Sequence, residues 1–551
     1  MKRYLLILIL LLAAVLRLTA LSRYPVGFNA DEAALGYNAY SLLTTGRDEH
    51  GHLWPINLES FGDFKPALYA YLLIPFIKVF GLSEFAVRLP SALAGIFSVW
   101  LIYLLTKELF TSPSSPPPES GGGWGVVQKI PVIAAFMLAI SPWHLHFSRG
   151  AWEVNLATTF ILSGVYFFIL YQKNHKFLNF EFCVLSFALS MYTYQSTRII
   201  APLLGLGLAL MYFKSLIRYP KQLLLAFLTL VFILSPLMLS IIRSDASSRL
   251  SGVGLLADDG PVNRVNQLRG QHSALNSLLS RELHNRPVIY TIQFMKNYLD
   301  HFNGDFLFIT GDLIPRNRIP ETGLLYLTDF LLLVLGVFYL FRRSRPHTRI
   351  IWLWLAVAPV ASALTFQTPH ALRAQNLVIP LTIISTAGIY FIISKARYSK
   401  ALLLLLFTIY TFQFTRYLHQ YYIHYPQTYP YAWEYGFKEL VSYVESVKDG
   451  YDQILVTDKY DQPYILFLWY SRYPPARFQG THQLTIRDKF NFSTVRAYDK
   501  YKFTDTSWDK VRDIHGTLIV AAPDDIPEVG VHVVKTIYFP GGSPAFKIVS
   551  N

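Results

Sequence analysis

Long apolar runs recur along this chain, and they dictate what it can fold into. Stretches near 4–20, 89–108, 129–147, 156–171, 178–195, 199–213, 222–242, 323–341, 350–366, 375–393 and 401–418 each approach the length a helix needs to cross a bilayer. Backbone in hydrocarbon must satisfy its own polar groups, so such runs fold as helices packed on one another. Composition agrees, with 52% hydrophobic residues, 15% charged residues and a mean hydropathy of +0.32, which does not fit a soluble globular chain. The sequence predicts an all-α polytopic membrane protein with about eleven transmembrane helices. The first run is too long for a signal-peptide core and lacks a small-x-small cleavage site, so it reads as a retained helix.

Charge sets the expected topology. The formal net charge of +14 resides largely in short clusters between apolar runs: Lys2 and Arg3; Lys107 and Lys129; Lys173 and Lys176; Lys214, Arg218 and Lys221; Arg342, Arg343, Arg345 and Arg349; Lys395, Arg397 and Lys400. Topology accounts for these clusters without nucleic acid as a partner. The apolar segment 66–80 is short for a span and suits a helix lying at the interface. If it does not cross, all the clusters fall on one side, the cytoplasm, and the N-terminus is cytoplasmic. The expected organisation is then a transmembrane module over 1–242 with a first outer loop over 22–88, an extracytoplasmic loop over 243–322, transmembrane helices over 323–418, and an extracytoplasmic domain over 419–551. The segments 112–118 and 121–123, rich in Ser, Pro and Gly, read as a cytoplasmic linker.

The tail reads as a small α/β domain. Residues 433–447 have helical periodicity, 453–457 and 517–521 read as buried strands, and 531–534 as a third. Trp469, Tyr470 and Tyr473 either form its core or help to hold an acceptor, with the core favoured. The lone Cys183 excludes an intrachain disulfide.

Asp31 and Glu32 stand side by side after the first span. A carboxylate pair at a membrane surface is costly to desolvate and points to substrate handling. The expected topology gathers it with Asp48, Glu49, His50, His52, Asp63, Lys65 and Arg88, with Arg149 and Glu153 of the next outer turn, with Arg198, and with His370 and Arg373. Guanidinium and ammonium groups match phosphate oxygens and stabilise a departing phosphate, so Lys65, Arg88, Arg149, Arg198 and Arg373 are candidate ligands of a lipid phosphate. An acceptor hydroxyl or amine needs a carboxylate to take its proton; Asp31 is the candidate base, with Glu32 or Glu153 in support.

Plainer readings stand beside these. Arg198 and Arg373 are equally suited to anchoring at head groups, and Arg17 is an interfacial anchor or a partner for Asp31. Asp31 also suits the N-cap of a helix starting at Glu32, and capping and catalysis can coexist. His50 and His52 with Asp48 and Glu49 have metal-ligand chemistry in an ordinary loop; a divalent metal is possible without a clear ligand set, and no certain cofactor follows.

The order Arg17, Asp31-Glu32, Asp63-x-Lys65-Pro66-x-Leu68-Tyr69, Phe80-Gly81-x-Ser83-Glu84-Phe85-x-x-Arg88-Leu89-Pro90-Ser91-Ala92 resembles the N-terminal module of polyprenyl-phosphate-dependent glycosyltransferases of the GT-C type. Protein O-mannosyltransferases and the aminoarabinose transferase of lipid A typify them. Tyr192-x-Tyr194-Gln195-x-x-Arg198 supports the likeness. The resemblance implies inverting transfer from a polyprenyl-phosphate sugar to a protein, lipid or glycan acceptor on the outer face of the cell membrane. By position it implies Asp31 as the catalytic acidic residue, Glu32 as its neighbour and Lys65 as the lysine that meets the lipid phosphate. Arg88 matches the Arg-Leu-Pro arginine; Glu153 stands near a position where many members carry Asp, and Ala67 replaces a second proline. The alternative is a multi-pass transporter or flippase, which calls for paired repeats and mid-membrane charges; no internal repeat is evident.

Overall fold

The computed structural model describes residues 2–110, 129–243, 254–272, 277–342, 347–395, 399–487 and 493–551. The expected linker segments and Arg343, Arg345 and Arg397 lie outside the described residues. Along the chain run α1 (Lys2–Leu18), α2 (Ala30–Thr45), strands β1 (Asn57–Ser60) and β2 (Asp63–Pro66), α3 (Leu68–Phe80), α4 (Glu84–Phe110), α5 (Ile130–Ile140), α6 (Pro142–Phe147), α7 (Glu153–Asn174), α8 (Phe177–Met191), α9 (Thr197–Met211) and α10 (Pro220–Arg243). Further on lie α11 (Leu327–Arg342), α12 (Arg349–Val357), α13 (Val378–Lys395) and α14 (Ser399–His419), among other elements.

The chain divides into two compact units. The first comprises Met1–Leu16, Ala94–Phe147 and Val154–Tyr417 and is built of apolar helices. Among the described residues, five stretches are long and apolar enough to cross a membrane: Glu84–Phe110, Glu153–Asn174, Pro220–Ile242, Gln375–Ser394 and Lys400–Thr428. Shorter apolar helices fill other expected runs. Two runs are interrupted. Ser141 is extended ahead of Pro142, which splits 129–147 into α5 and α6, and α12 breaks off before Pro359. Helices α11 and α13 meet backbone to backbone, since a methyl at Gly336 would overlap the Ile384 carbonyl and one at Gly388 the Leu332 carbonyl.

The second unit comprises Arg17–Leu93, Ser148–Glu153 and Leu418–Asn551. Its tail segment contains α15 (Phe437–Val447), β3 (Gln453–Thr457), α16 (Pro463–Ser471), β4 (Gln483–Leu484), β5 (Val495–Tyr498), β6 (Tyr501–Thr504), β7 (Thr517–Ala521), β8 (Val533–Tyr538) and β9 (Pro544–Ser550). The strands form one sheet in the order β4-β5-β6-β3-β7-β9-β8. Its centre, β6-β3-β7, is parallel, and the flanks are antiparallel. Central strands buried on both faces read as continuous apolar runs, which is why β3 and β7 stood out in the sequence while the more polar β5 and β6 did not.

The first loop folds onto this domain. Phe28 stacks on Trp469 at 4.9 Å, Phe28 N donates to the Trp433 carbonyl at 2.8 Å, and Tyr37 Oη donates to the Tyr473 carbonyl at 3.0 Å. Gly36 lets Trp469 press against α2, and Gln479 Nε2 donates to Ser41 Oγ at 3.0 Å and the Asp48 carbonyl at 2.8 Å. Trp469 and Tyr473 are therefore core residues that hold α2 in place.

Candidate active site

Asp31 and Lys65, two of the sequence-selected residues of the second unit, form an ion pair that is partly open to solvent. Asn29 caps α2, its side chain accepting from Glu32 N at 3.1 Å, so Asp31 does not have the capping role that the sequence allowed. Asp31 lies instead in the first turn, where the helix dipole favours a carboxylate, and its side chain is 34% exposed. Lys65 comes from the β1–β2 hairpin. Phe61 and Gly62 both take positive φ, 60° and 70°, as a tight two-residue hairpin turn requires, and the ladder sets Lys65 opposite Leu58. Side chains alternate along β2, so Asp63 and Lys65 share a face.

Lys65 Nζ bonds Asp31 Oδ1 at 2.5 Å, and the ammonium stands 4.5 Å from the centre of the Phe61 ring. Burial works against its charge. The carboxylates of Asp31, Glu153 and Asp63 outweigh that and hold Lys65 above the usual lysine range. Glu153, the first residue of α7, thus belongs to the electrostatic environment of Lys65. The arrangement is a fixed cation with a partly open carboxylate beside it, which suits binding an anion at one point and taking up a proton at the next.

Glu32 and Arg88 are a different matter. Both are buried, and every N–H of the guanidinium is used within the protein. Nε donates to Glu32 Oε1 at 2.9 Å and Nη2 to Glu32 Oε2 at 2.8 Å. Nη1 reaches the Leu21 and Pro25 carbonyls at 3.1 and 3.0 Å, and Nη2 also reaches the Gly27 carbonyl at 2.7 Å. Glu32 Oε1 further accepts from Ala151 N at 2.8 Å. Arg88 therefore ties the 21–27 segment to α2 and has no donor left for a phosphate, contrary to its sequence reading, and Glu32 is its counter-ion with no open face for a reacting group.

Arg149 is likewise enclosed. It donates to Tyr421 Oη at 3.2 Å and to the Thr19 and Tyr24 carbonyls at 2.8 and 3.3 Å, with the Tyr421 and Tyr422 rings 5.4 and 5.6 Å away. An arginine with carbonyls on one side and aromatic faces on the other is a clamp, and this too departs from its reading as a phosphate ligand. The density of tyrosines after the last span was the available sequence signal for such a cage.

Arg198 and Arg373 belong to the first unit. Arg198 Nε donates to the Met191 carbonyl at 3.2 Å, and Arg373 Nη1 donates to Thr365 Oγ1 at 2.8 Å. Asp312, which accepts from Ala371 N at 2.6 Å, pins the turn that carries His370 and Arg373.

The histidines considered for a metal are engaged elsewhere. Asp48 Oδ1 accepts from the backbone of His50 and His52, Asp48 Oδ2 meets His52 Nδ1 at 3.0 Å, and His50 Nδ1 lies 3.3 Å from His482 Nε2. Among the described residues no group of three or more His, Cys, Asp or Glu is placed to hold a metal ion. Sequence reasoning passed over Glu49 as a titrating group. It is fully buried, and burial pushes its carboxyl up to about 8.

With this geometry in view, comparison with known proteins is informative. A family model described as dolichyl-phosphate-mannose-protein mannosyltransferase matches residues 64–115, a stretch that holds Lys65 and Arg88. No curated protein matches the chain by sequence. In three dimensions the chain is similar to ArnT from Cupriavidus metallidurans. In the apo state the TM-score is 0.55 at 11% identity, and bound to undecaprenyl phosphate 0.53 at 10%; in both cases 98% of this chain and 97% of that one are covered. It also matches the archaeal oligosaccharyltransferase AglB from Archaeoglobus fulgidus, solved with an inhibitory peptide and a dolichol-phosphate, with TM-score 0.45 and 13% identity over 85% of this chain and 63% of that one. At such identities the ArnT likeness is one of fold. It agrees with the fold class expected from the sequence, helices followed by a C-terminal sheet domain.

Proposed function

We propose that this protein is an inverting membrane glycosyltransferase that moves a sugar from a polyprenyl-phosphate donor to an acceptor at the extracytoplasmic face, with the N-terminus in the cytoplasm. The observation that carries the reading is the Asp31–Lys65 pair, set in a fold shared with a protein that binds undecaprenyl phosphate. Lys65 receives the donor phosphate, which draws the ammonium away from Asp31 and leaves that carboxylate to act as base. The acceptor oxygen or nitrogen attacks the anomeric carbon, the carbon–oxygen bond to phosphate breaks, Asp31 takes the acceptor proton, and polyprenyl phosphate departs against Lys65. Glu153 keeps Lys65 charged and supports positive charge developing on the sugar. Glu32, Arg88 and Arg149 hold the loop that presents Asp31.

The test is purified protein with a labelled polyprenyl-phosphate sugar and a membrane extract as acceptor source. Asp31→Asn abolishes transfer while the donor still binds. Transfer by the Asn variant at the wild-type rate refutes Asp31 as base, and a wild-type protein that consumes none of the polyprenyl donors refutes the enzymatic reading.

A further inference from the structure

The hairpin that carries Lys65 is covered where a hairpin is ordinarily bare. Two paired strands of four residues each are marginal on their own, so their placement has to be fixed from outside. The base is closed onto the chain leading into α3, with Ala67 N donating to the Ile56 carbonyl at 3.2 Å. At the other end Glu59, Ser60 and Asp63 are buried although they flank the Phe61–Gly62 turn. A buried polar tip needs neighbours, and the C-terminal domain of the same unit supplies two of them.

The first is Arg487, which follows edge strand β4. Its Nη2 donates to Glu59 Oε1 at 2.9 Å, and its Nη1 reaches the Gly62 carbonyl at 3.5 Å. One planar guanidinium thus spans strand β1 and the turn, which resists both sliding and twisting of the tip. Glu59 Oε2 faces His52 Nε2 at 3.9 Å, so the acid meets a basic side chain on either side, and Arg487 is the one from the tail. The second neighbour is Tyr464 on α16, whose ring stands edge-on to Phe61 with centroids 6.0 Å apart. The two are tied together within the domain. Thr494 Oγ1 donates to Gln462 Oε1, and Thr485 N donates to the Thr494 carbonyl at 2.8 Å, which links the start of α16 to the segment leaving β4.

These contacts converge on Lys65. In the ladder Leu58 stands opposite Lys65 and Glu59 opposite Phe64, so the residue that Arg487 grips is one step from the lysine's partner. The Phe61 ring that Tyr464 meets is the ring beneath the Lys65 ammonium, 4.5 Å away. A lysine is a point charge on a flexible four-carbon stem, so its ammonium is only as well placed as the backbone and ring that hold it.

We infer that Arg487 is a positioning residue for Lys65, holding the hairpin so that the ammonium meets the donor phosphate where its bond to the sugar breaks. The inference rests on the proposed function and adds to it a role for the C-terminal domain. Arg487 acts through Glu59 and Gly62 and not on the donor itself. Without it Lys65 keeps its charge and still reaches a bound phosphate, so ground-state binding is largely kept. Alignment with the departing phosphate is lost, and a misplacement of about 1 Å at such a point costs up to about 100-fold in rate.

The experiment uses the full chain in phosphatidylcholine nanodiscs with a labelled polyprenyl-phosphate sugar and a membrane extract as acceptor source. Steady-state kinetics and amide hydrogen exchange are read on the same samples. Arg487 is partly exposed, and His52 still faces Glu59 in its absence, so Arg487→Met keeps the fold and unfolds within a few degrees of wild type. It lowers kcat by about tenfold or more with donor KM within about twofold, and it speeds exchange selectively over 57–66. Arg487→Lys recovers part of kcat. Glu59→Leu matches Arg487→Met, and the double variant is no worse than either. Arg477→Gln breaks another pair of the tail, with Asp499 at 3.1 Å, and changes neither readout. Wild-type kcat in Arg487→Met, unchanged exchange over 57–66, or additive losses in the double variant each overturn the inference and leave Asp31 and Lys65 in their roles. A wild-type chain that consumes no donor refutes the functional reading itself, and this inference with it.

Discussion

Neighbouring residues Asp31 and Glu32 should fail in opposite ways. Glu32→Gln leaves the Arg88 guanidinium buried without its counter-ion, after both carboxylate oxygens had accepted from it at 2.9 and 2.8 Å. Breaking a buried pair by neutralising one partner costs about 3–5 kcal/mol, because the remaining charge stays desolvated. Against a typical total of about 5–15 kcal/mol this is a large fraction, and for a unit of this size it lowers the unfolding temperature by on the order of 10 °C. Asp31 is a third exposed, and when it is neutralised the Lys65 ammonium still has Glu153 and Asp63 nearby, so no charge is stranded as it is at Arg88. Asp31→Asn therefore unfolds within a few degrees of wild type and loses transfer by about 100-fold or more. The assay is paired: tryptophan-monitored unfolding and donor turnover on the same nanodisc preparations. A double variant, Glu32→Gln with Arg88→Met, recovers part of the lost stability, since it removes the stranded charge. If Glu32→Gln unfolds at the wild-type temperature yet abolishes transfer, Glu32 takes part in the chemistry and the assignment of a buried lock is wrong.

Three further outcomes are expected. Lys65→Met abolishes donor use. Because neighbouring carboxylates hold the Lys65 ammonium above its usual range, wild-type donor binding stays level on the alkaline side up to about pH 10; an earlier fall in a binding titration contradicts this. Glu49 has a folded value of about 8 against an ordinary 4.5, so between those limits the folded state holds a proton that the unfolded state has released. Stability therefore falls as pH rises through that window and levels off above it, and Glu49→Gln flattens the slope in unfolding temperatures recorded across it. Gly336→Leu forces α11 and α13 apart at the Ile384 carbonyl and greatly lowers the yield of folded protein on size-exclusion chromatography, whereas Gly205→Leu, with open space at its Cβ, does not.

Bilayer thickness fixes the length of an apolar run, so the helical class was legible from the sequence without knowing any contact, and the five helices long and apolar enough to cross among the described residues all fall on expected runs. The hairpin of Lys65 was not, because Phe61 is an unusual residue for positive φ and no Asn-Gly or Asp-Gly signal marks the turn. Nor was the docking of α2 onto the tail, whose partners Tyr37 and Tyr473 stand 436 residues apart. The hardest distinction was chemical. An arginine fork fits phosphate and carboxylate equally well, so Arg88 read as a phosphate ligand from its type alone. What decides is which way the facing acid points. Successive helical residues are turned by about 100°, so of two adjacent carboxylates on α2 one can face into the protein and the other out of it. The Asn29 cap fixes where the helix begins and therefore which is which: Glu32 turns inward to Arg88, and Asp31 is left at the surface beside Lys65. A one-residue shift of that cap would exchange their environments, so the candidate chemistry depends on an asparagine that touches no proposed substrate.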